Sequence, residues 1–335
     1  MSTPFEALQR ALGSAAVRRP QRESLDLAGY SLGTAQLEVE PATTDQVREV
    51  VDIARTHRMA VVATGARTAY WRPLGLDNAI ALDTRRLDRI DDPDPETSTI
   101  RCGAGAAVRD VDDRLRQHGL CLAAHPDAYG ETSVGAMVAT GFASGIGAAR
   151  ANIDDLVAGL EVVLGTAEVL TTGSPALSAA PFTRLGLPDP TALFFGSDGA
   201  LGIVTELWLR AIPIPSMAQI SFECDGLEAG AELALTLARA LPRPPIHDTF
   251  RCVFEQGPHV QDGPRWRCDV FLHSAVGDDE LEVRISAFER CLRTLSATLP
   301  FEVQRDRDKI VRWQGPKGEH RQRLEALHFA GVDVH

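Results

Sequence analysis

Three loops of small residues constrain this chain most, because loops short of side chains let backbone N–H groups approach a ligand closely. The first covers residues 64–70 and directly follows a predicted strand, the second covers residues 126–136, and the third covers residues 196–205. Each loop alone is typical of a plain turn. Their order and spacing together predict a site where backbone groups hold a pyrophosphate or a planar ring.

A further glycine motif at residues 102–108, Cys-Gly-Ala-Gly-Ala-Ala-Val, lies between a predicted strand and a predicted helix, where the dinucleotide-binding fingerprint G-x-G-x-x-G would stand. Val108 replaces the third glycine, so the motif predicts a tight strand-to-helix turn instead. The histidines show no metal-binding spacing, and neither a nucleophile elbow nor a phosphate loop occurs. We therefore expect no metal site and no hydrolase or kinase chemistry.

The charge and hydropathy of the sequence argue against two kinds of partner, nucleic acid and a membrane. A net charge of −12, without a cluster of basic residues, argues against a nucleic-acid partner. No apolar run reaches the roughly 18 residues that a membrane span requires, and the N-terminus lacks a signal pattern. We expect a cytoplasmic protein whose scattered cysteines stay reduced.

The pattern of helices and strands predicts an α+β fold in two domains. Residues 1–215, with an N-terminal helical segment at 1–38, mix helices and strands without a strict βαβ period, and the proline-rich residues 212–216 end this domain. The second domain, residues 216–335, has the β-α-β-β-α-β order of a ferredoxin-like fold. Its predicted elements are strand 218–224, helix 227–240, strands 249–255 and 266–274, helix 278–297 and strand 301–305.

Several segments resemble, in the same order, the FAD-binding domain of the vanillyl-alcohol-oxidase and p-cresol-methylhydroxylase superfamily. They are residues 41–51, 64–69, 130–141, 159–164 and 199–206. The resemblance spans about residues 38–215. It implies a two-part FAD-binding domain of the vanillyl-alcohol-oxidase type, followed by a small ferredoxin-like cap domain that binds substrate.

The resemblance also implies which residues hold FAD. The first loop would wrap the pyrophosphate, the second would run beside the pyrophosphate and the isoalloxazine, and the third would contact the flavin through its backbone. The residues concerned are Thr64, Gly65, Ala66, Arg67, Thr68 and Ala69; then Pro126, Asp127, Thr132, Ser133 and Gly135; then Gly202, Ile203 and Val204. Thr68 is nearest to the place where some members carry a flavin-tethering histidine, so we expect non-covalent FAD.

Within the superfamily, the phenol-oxidising branch fits best. Tyr70 stands where that branch keeps a tyrosine that hydrogen-bonds the substrate phenolate, and Asp127 follows a proline where that branch keeps an aspartate near flavin N5. The resemblance thus implies hydride transfer to N5 from a phenolic alcohol or alkylphenol, with Arg67 or Arg72 compensating the phenolate charge. The residues alone leave plainer roles open: a packed ring for Tyr70, a loop cap for Asp127 and a surface position for Arg67.

Departures from the family pattern keep other functions open. Ala66 and Ala136 replace usual glycines, Asp198 replaces a glutamate, and the region after the FAD domain is shorter than in phenol-oxidising members. One alternative is an FAD-binding subunit of a multi-subunit 2-hydroxy-acid oxidase or dehydrogenase of the glycolate type. Another is an FAD-holding scaffold without independent catalysis. Expected partners are a small-molecule substrate and either further copies of the chain or a second subunit that supplies the missing part.

Overall fold

The computed structural model describes residues 2–25, 31–68, 75–123, 130–141, 153–177, 188–224, 249–255, 265–274, 276–295 and 311–312, with single residues between 228 and 236. The chain divides into two compact units, one containing the described residues up to Ile212 and the other beginning at Pro213. This division lies close to the boundary predicted from the prolines. The roles assigned to the two domains remain predictions.

The first helix, α1 (Pro4–Leu12), begins with a capping box. The Thr3 hydroxyl accepts from the Glu6 N–H at 3.3 Å, and the Glu6 carboxylate accepts from the Thr3 N–H at 3.0 Å. After a 3₁₀ turn the chain forms short strands, so helix occupies less of residues 1–38 than predicted. These strands are β1 (Val17–Arg18), β2 (Ser24–Leu25), β3 (Ser31–Gly33) and β4 (Leu37–Val39). Pro20 and the positive φ of +84° at Gly33 oppose a continuous helix.

The first sheet of unit 1 has the order β1-β4-β6-β5, with β5 (Ala60–Thr64) and β6 (Ala79–Asp83). β4 and β5 each pair with β6 in parallel, whereas β1 pairs with β4 antiparallel. Helix α2 (Thr44–His57) begins after Thr43, whose hydroxyl accepts from the Gln46 N–H at 3.2 Å. The core between helices and sheet contains Leu8, Val17, Leu37, Val39, Val47, Val50, Val51, Ala54, Ile80 and Leu82.

The second sheet of unit 1 has the order β10-β9-β11-β7, with β8 also paired to β11. Its strands are β7 (Thr99–Gly103), β8 (Leu120–Leu122), β9 (Val157–Val163), β10 (Val169–Thr171) and β11 (Ile203–Pro213). The helices beside them are α3 (Val108–Arg116), α4 (Val134–Thr140) and α5 (Ile153–Leu156). The pairs of β9 with β10 and of β11 with β7 and β9 are antiparallel. Parallel and antiparallel sheets in one unit confirm the predicted α+β class.

Unit 2 contains an antiparallel sheet with the order β13-β14-β12-β15. Its elements are β12 (Ser216–Cys224), β13 (Thr249–Glu255), β14 (Arg265–Ser274), helix α6 (Asp278–Leu295) and β15 (Val311–Arg312). Three predicted strands and the second predicted helix thus occur at nearly their predicted bounds. The strand predicted at 301–305 and most of the helix predicted at 227–240 lie outside the described residues. The cap role of this unit stays a prediction.

Candidate functional site

The first loop leaves β5 at the edge of the parallel sheet. Thr64 is buried, and its carbonyl accepts from the Thr84 hydroxyl at 3.1 Å, which fixes the start of the loop. Within the part of the chain that the structure describes, the backbone N–H groups of residues 65–68 donate no hydrogen bond. Consecutive N–H groups without a protein acceptor are what an anion-binding loop offers to a pyrophosphate.

The second loop leads into α4. Ser133 caps this helix, its hydroxyl accepting from the Ala136 N–H at 3.3 Å. The Val134 N–H donates to the Ala106 carbonyl, and the Gly135 N–H to the Ala104 carbonyl, both at 2.9 Å. These two N–H groups at the start of α4 are therefore used within the protein and are not available to an anion.

The first and second loops touch each other at two points. A Cβ on Gly65 would lie 2.8 Å from the Ser133 hydroxyl oxygen, so only glycine fits there without movement. The Thr68 and Thr132 hydroxyl oxygens are 2.9 Å apart and share a hydrogen bond. The structure thus brings together the two loops that the sequence placed in one site.

The third loop ends where β11 begins. Ile203 and Val204 pair with Val163 and Val162 of β9, and a Cβ on Gly202 would lie 2.6 Å from a Val162 methyl group. Upstream in this loop, a Cβ on Gly199 would lie 3.7 Å from that of Ala63 in β5. Because Ala63 directly precedes the first loop, this contact places the third loop beside it.

The turn at residues 103–105, which resembles a dinucleotide fingerprint in sequence, serves packing in the structure. A Cβ on Gly103 would lie 2.1 Å from the Leu87 carbonyl oxygen, and one on Gly105 would lie 2.0 Å from that of Thr84. Between them, Ala104 would contact a Cβ on Gly135 at 2.7 Å. Sequence reasoning missed this turn as the support of α4; its two glycines were the available signal.

The structure places Arg67 among protein partners. Its guanidinium donates to the Ser24 hydroxyl at 3.1 Å and to the Glu38 carboxylate at 3.3 Å. Arg18 donates to the other oxygen of Glu38 at 2.6 Å. Burial raises the pKa of the Glu38 carboxyl, but the hydrogen bonds from the two arginines outweigh that effect and hold the pKa below its ordinary value.

Four predicted site residues fall outside the described residues: Ala69, Tyr70, Pro126 and Asp127. Their proposed roles therefore stay predictions, as does the catalytic role of Arg67. No group of side chains among the described residues has the composition of a metal site, and no described helix is long and apolar enough to cross a membrane. Among described side chains, Cys102, Cys121 and Cys291 are free thiols.

The arrangement suits FAD by its own geometry. The amides of residues 65–68, which have no acceptor among the described residues, suit a diphosphate, and the close packing at Gly65, Gly135 and Gly202 holds the three loops against neighbouring protein atoms.

Comparisons with known proteins agree with this assignment. Residues 35–173 match the family model described as an FAD binding domain. The chain is 28% identical over 192 residues to the D-2-hydroxyglutarate–pyruvate transhydrogenase of Saccharomyces cerevisiae, covering 57% of this chain and 38% of that protein. It is 25% identical over 288 residues to the alkyldihydroxyacetonephosphate synthase of Trypanosoma brucei brucei, covering 83% and 43%. It is 27% identical over 179 residues to the glycolate oxidase subunit GlcD of Bacillus subtilis, covering 53% and 37%.

Solved structures show the same fold. The 4-ethylphenol oxidase from Gulosibacter chungangensis superposes with a TM-score of 0.69 at 17% identity, covering 97% of this chain and 68% of that one. The p-cresol methylhydroxylase superposes with a TM-score of 0.68 at 15% identity, covering 88% and 64%.

The chain spans less than half the length of the curated relatives named above. The family match nevertheless assigns residues 35–173 to an FAD binding domain, which confirms the predicted cofactor, FAD. Residues 35–173 are therefore those of an FAD binding domain, and the chain shares its fold with 4-ethylphenol oxidase and p-cresol methylhydroxylase.

Proposed function

We propose that this chain binds FAD at its three loops and oxidises a small organic substrate by hydride transfer to flavin N5. The observation that carries the proposal is the set of amides at residues 65–68 that have no acceptor among the described residues, in a loop held against Thr132 and Ser133 of the second loop. Bound FAD supplies the hydride-accepting chemistry, and the protein supplies binding, orientation and electrostatics.

The described residues account for the binding part of this proposal. The amides of the first loop bind the diphosphate, and the Thr68–Thr132 hydrogen bond keeps that loop against the second one. The backbone at Gly202, Ile203 and Val204 lines the flavin side. Since the register of β11 with β9 fixes Ile203 and Val204, and Gly202 packs against Val162, these residues bind FAD without reorganisation.

For the substrate we favour a phenolic alcohol or alkylphenol, which rests on Tyr70 and Asp127. In this proposal the Tyr70 hydroxyl donates to the phenolate, and Asp127 acts as a base or adjusts the flavin. The variant Tyr70→Phe is then expected to lower kcat while leaving the FAD content unchanged. Full turnover by Tyr70→Phe with an alkylphenol would remove the phenol assignment.

A 2-hydroxy acid is the second candidate substrate, favoured by two sequence relatives, a D-2-hydroxyglutarate–pyruvate transhydrogenase and a glycolate oxidase subunit. In this case a second subunit is the proposed partner. The predicted cytoplasmic location rests on the sequence alone and remains a prediction.

One experiment separates the candidates. The purified, FAD-loaded chain is mixed anaerobically with a 4-alkylphenol or with D-2-hydroxyglutarate, and bleaching of the visible flavin absorbance is followed. Rapid bleaching by one substrate class alone identifies that class. Bound flavin that neither class bleaches contradicts independent catalysis and favours a scaffold or a subunit that needs its partner. A chain that binds no FAD refutes the whole proposal.

A further inference from the structure

The backbone of the first loop is held in an unusual conformation at Arg67. Its φ is +57°, in the left-handed region that residues other than glycine, asparagine and aspartate rarely adopt. This residue lies in the middle of the unclaimed amides, so its conformation decides the direction in which they point. A left-handed arginine here needs compensating contacts from the surrounding structure.

Those contacts come from the N-terminal segment of the chain. The guanidinium of Arg67, about a quarter exposed at 27%, reaches Ser24 in β2 and Glu38 in β4. The Glu38 side chain is only 10% exposed, so water screens its ion pair with Arg67 weakly. The second loop contacts the first loop at Gly65 and Thr68, and the third loop lies beside Ala63 of β5; none of these contacts among the described residues involves the Arg67 side chain.

Arg18, Arg67, Glu38 and Glu40 form a cluster in which two positive and two negative charges balance. Glu38 receives both Arg18 and Arg67, and Arg18 also donates to Glu40 at 2.5 Å. Glu38 is therefore the carboxylate that links the first loop to the rest of the sheet, whereas Glu40 contacts Arg18 alone among the arginines of this cluster. The two glutamates lie on the same stretch of chain but differ in this single connection.

We propose that Glu38 is a positioning residue for the cofactor: through Arg67 it holds the first loop in the left-handed turn that presents its amides to the FAD diphosphate. This inference rests on FAD binding at the first loop, the binding step of the proposed function. It concerns cofactor affinity, so it is tested without any substrate.

The test is a double-mutant cycle on the dissociation constant of FAD, measured by flavin fluorescence during titration of the deflavinated full-length chain. Glu38→Gln is expected to raise Kd roughly tenfold, the scale of one charge-assisted hydrogen bond. Glycine adopts the left-handed turn without support, so in the Arg67→Gly background the same Glu38→Gln change is expected to alter Kd less than about twofold. Arg67→Asn, which also tolerates this turn, serves as the second background if the glycine variant binds FAD too weakly.

Glu40→Gln is the matched control, because it removes a neighbouring carboxylate from Arg18 without touching Arg67, and it is expected to leave Kd unchanged. An equal effect of Glu38→Gln in both backgrounds would mean that Glu38 supports the sheet generally, which overturns the inference. An unchanged Kd in Glu38→Gln alone also overturns it. In both cases the parent chain still binds FAD, whereas a parent chain that binds no FAD refutes the proposed function itself.

Discussion

The contact between Gly65 and Ser133 can be tested by adding a single methyl group. In Gly65→Ala the new Cβ would lie 2.8 Å from the Ser133 hydroxyl oxygen, while its next neighbour, the Ala136 Cβ, is at an ordinary 3.5 Å. The methyl group therefore displaces the Ser133 hydroxyl and little else. That hydroxyl caps α4, so the expected cost is that of a lost N-cap, about 1 kcal/mol in the free energy of unfolding.

The same reasoning makes the two positions interdependent. Ser133→Ala removes the cap directly and is expected to cost about 1 kcal/mol as well. Once the hydroxyl is gone, the methyl group of Gly65→Ala has room, so the double variant is expected to cost about 1 kcal/mol where independent changes would cost about 2 kcal/mol. Urea unfolding of the deflavinated chain measures all these free energies.

A matched control is Gly165→Ala, because a Cβ there meets nothing within 4 Å. It is expected to change stability by less than about 0.5 kcal/mol. Strict additivity of Gly65→Ala and Ser133→Ala would refute the contact between the first and second loops. FAD titration of the same variants adds a second measurement: because the methyl group displaces the Ser133 hydroxyl and little else, Gly65→Ala is expected to weaken FAD binding no more than Ser133→Ala does.

Other predictions follow from the chemistry of single groups. Burial, assisted by a neighbouring aspartate, raises the pKa of the Cys121 thiol to about 12, so at mildly alkaline pH an alkylating reagent is expected to label it only after unfolding, as mass spectrometry would detect. Since Thr68 stands where some members carry a tethering histidine, acid precipitation is expected to leave the flavin in the supernatant; colour in the pellet would contradict non-covalent binding. The pKa of Glu38 is lowered in the folded chain, so its contribution to stability is expected to be complete above the ordinary glutamate pKa of about 4.3 and to disappear as pH falls further. A stability difference from Glu38→Gln that persists in strong acid would contradict this.

Local patterns predicted much of the fold because they depend on neighbours in sequence. The strands predicted at 249–255 and 266–274 and the helix predicted at 278–297 follow from adjacent residues and occur at nearly their predicted bounds. The N-terminal segment differs because alanine and arginine favour helix only weakly against tertiary contacts. Short strands there pair with β4 and with each other, and pairing partners cannot be read from composition.

The contacts of Arg67 also depend on residues that are distant in sequence, so local patterns do not predict them. The sequence places Arg67 in a predicted cofactor loop, where the family resemblance implies a cation that compensates the charge of a substrate phenolate. Its actual partners, Glu38 and Ser24, precede it by 29 and 43 positions and reach it only because of the sheet that forms between them. Long-range ion pairs depend on strand order, which residue patterns do not specify.

Glycines in a sequence indicate that the backbone approaches another group closely, but they do not indicate whether that group belongs to the protein or to a ligand. At residues 103–105 and at residues 64–68 the sequence has similar runs of small residues, and the backbone amides distinguish the two. The Gly103 N–H donates to the Arg89 carbonyl at 2.8 Å and the Gly105 N–H to the Leu87 carbonyl at 2.9 Å, so that turn packs against protein. In the first loop the amides of residues 65–68 have no acceptor among the described residues. Because buried backbone N–H groups rarely stay unpaired, these amides, more than the glycine motif, support the first loop as the proposed binding site of the FAD diphosphate.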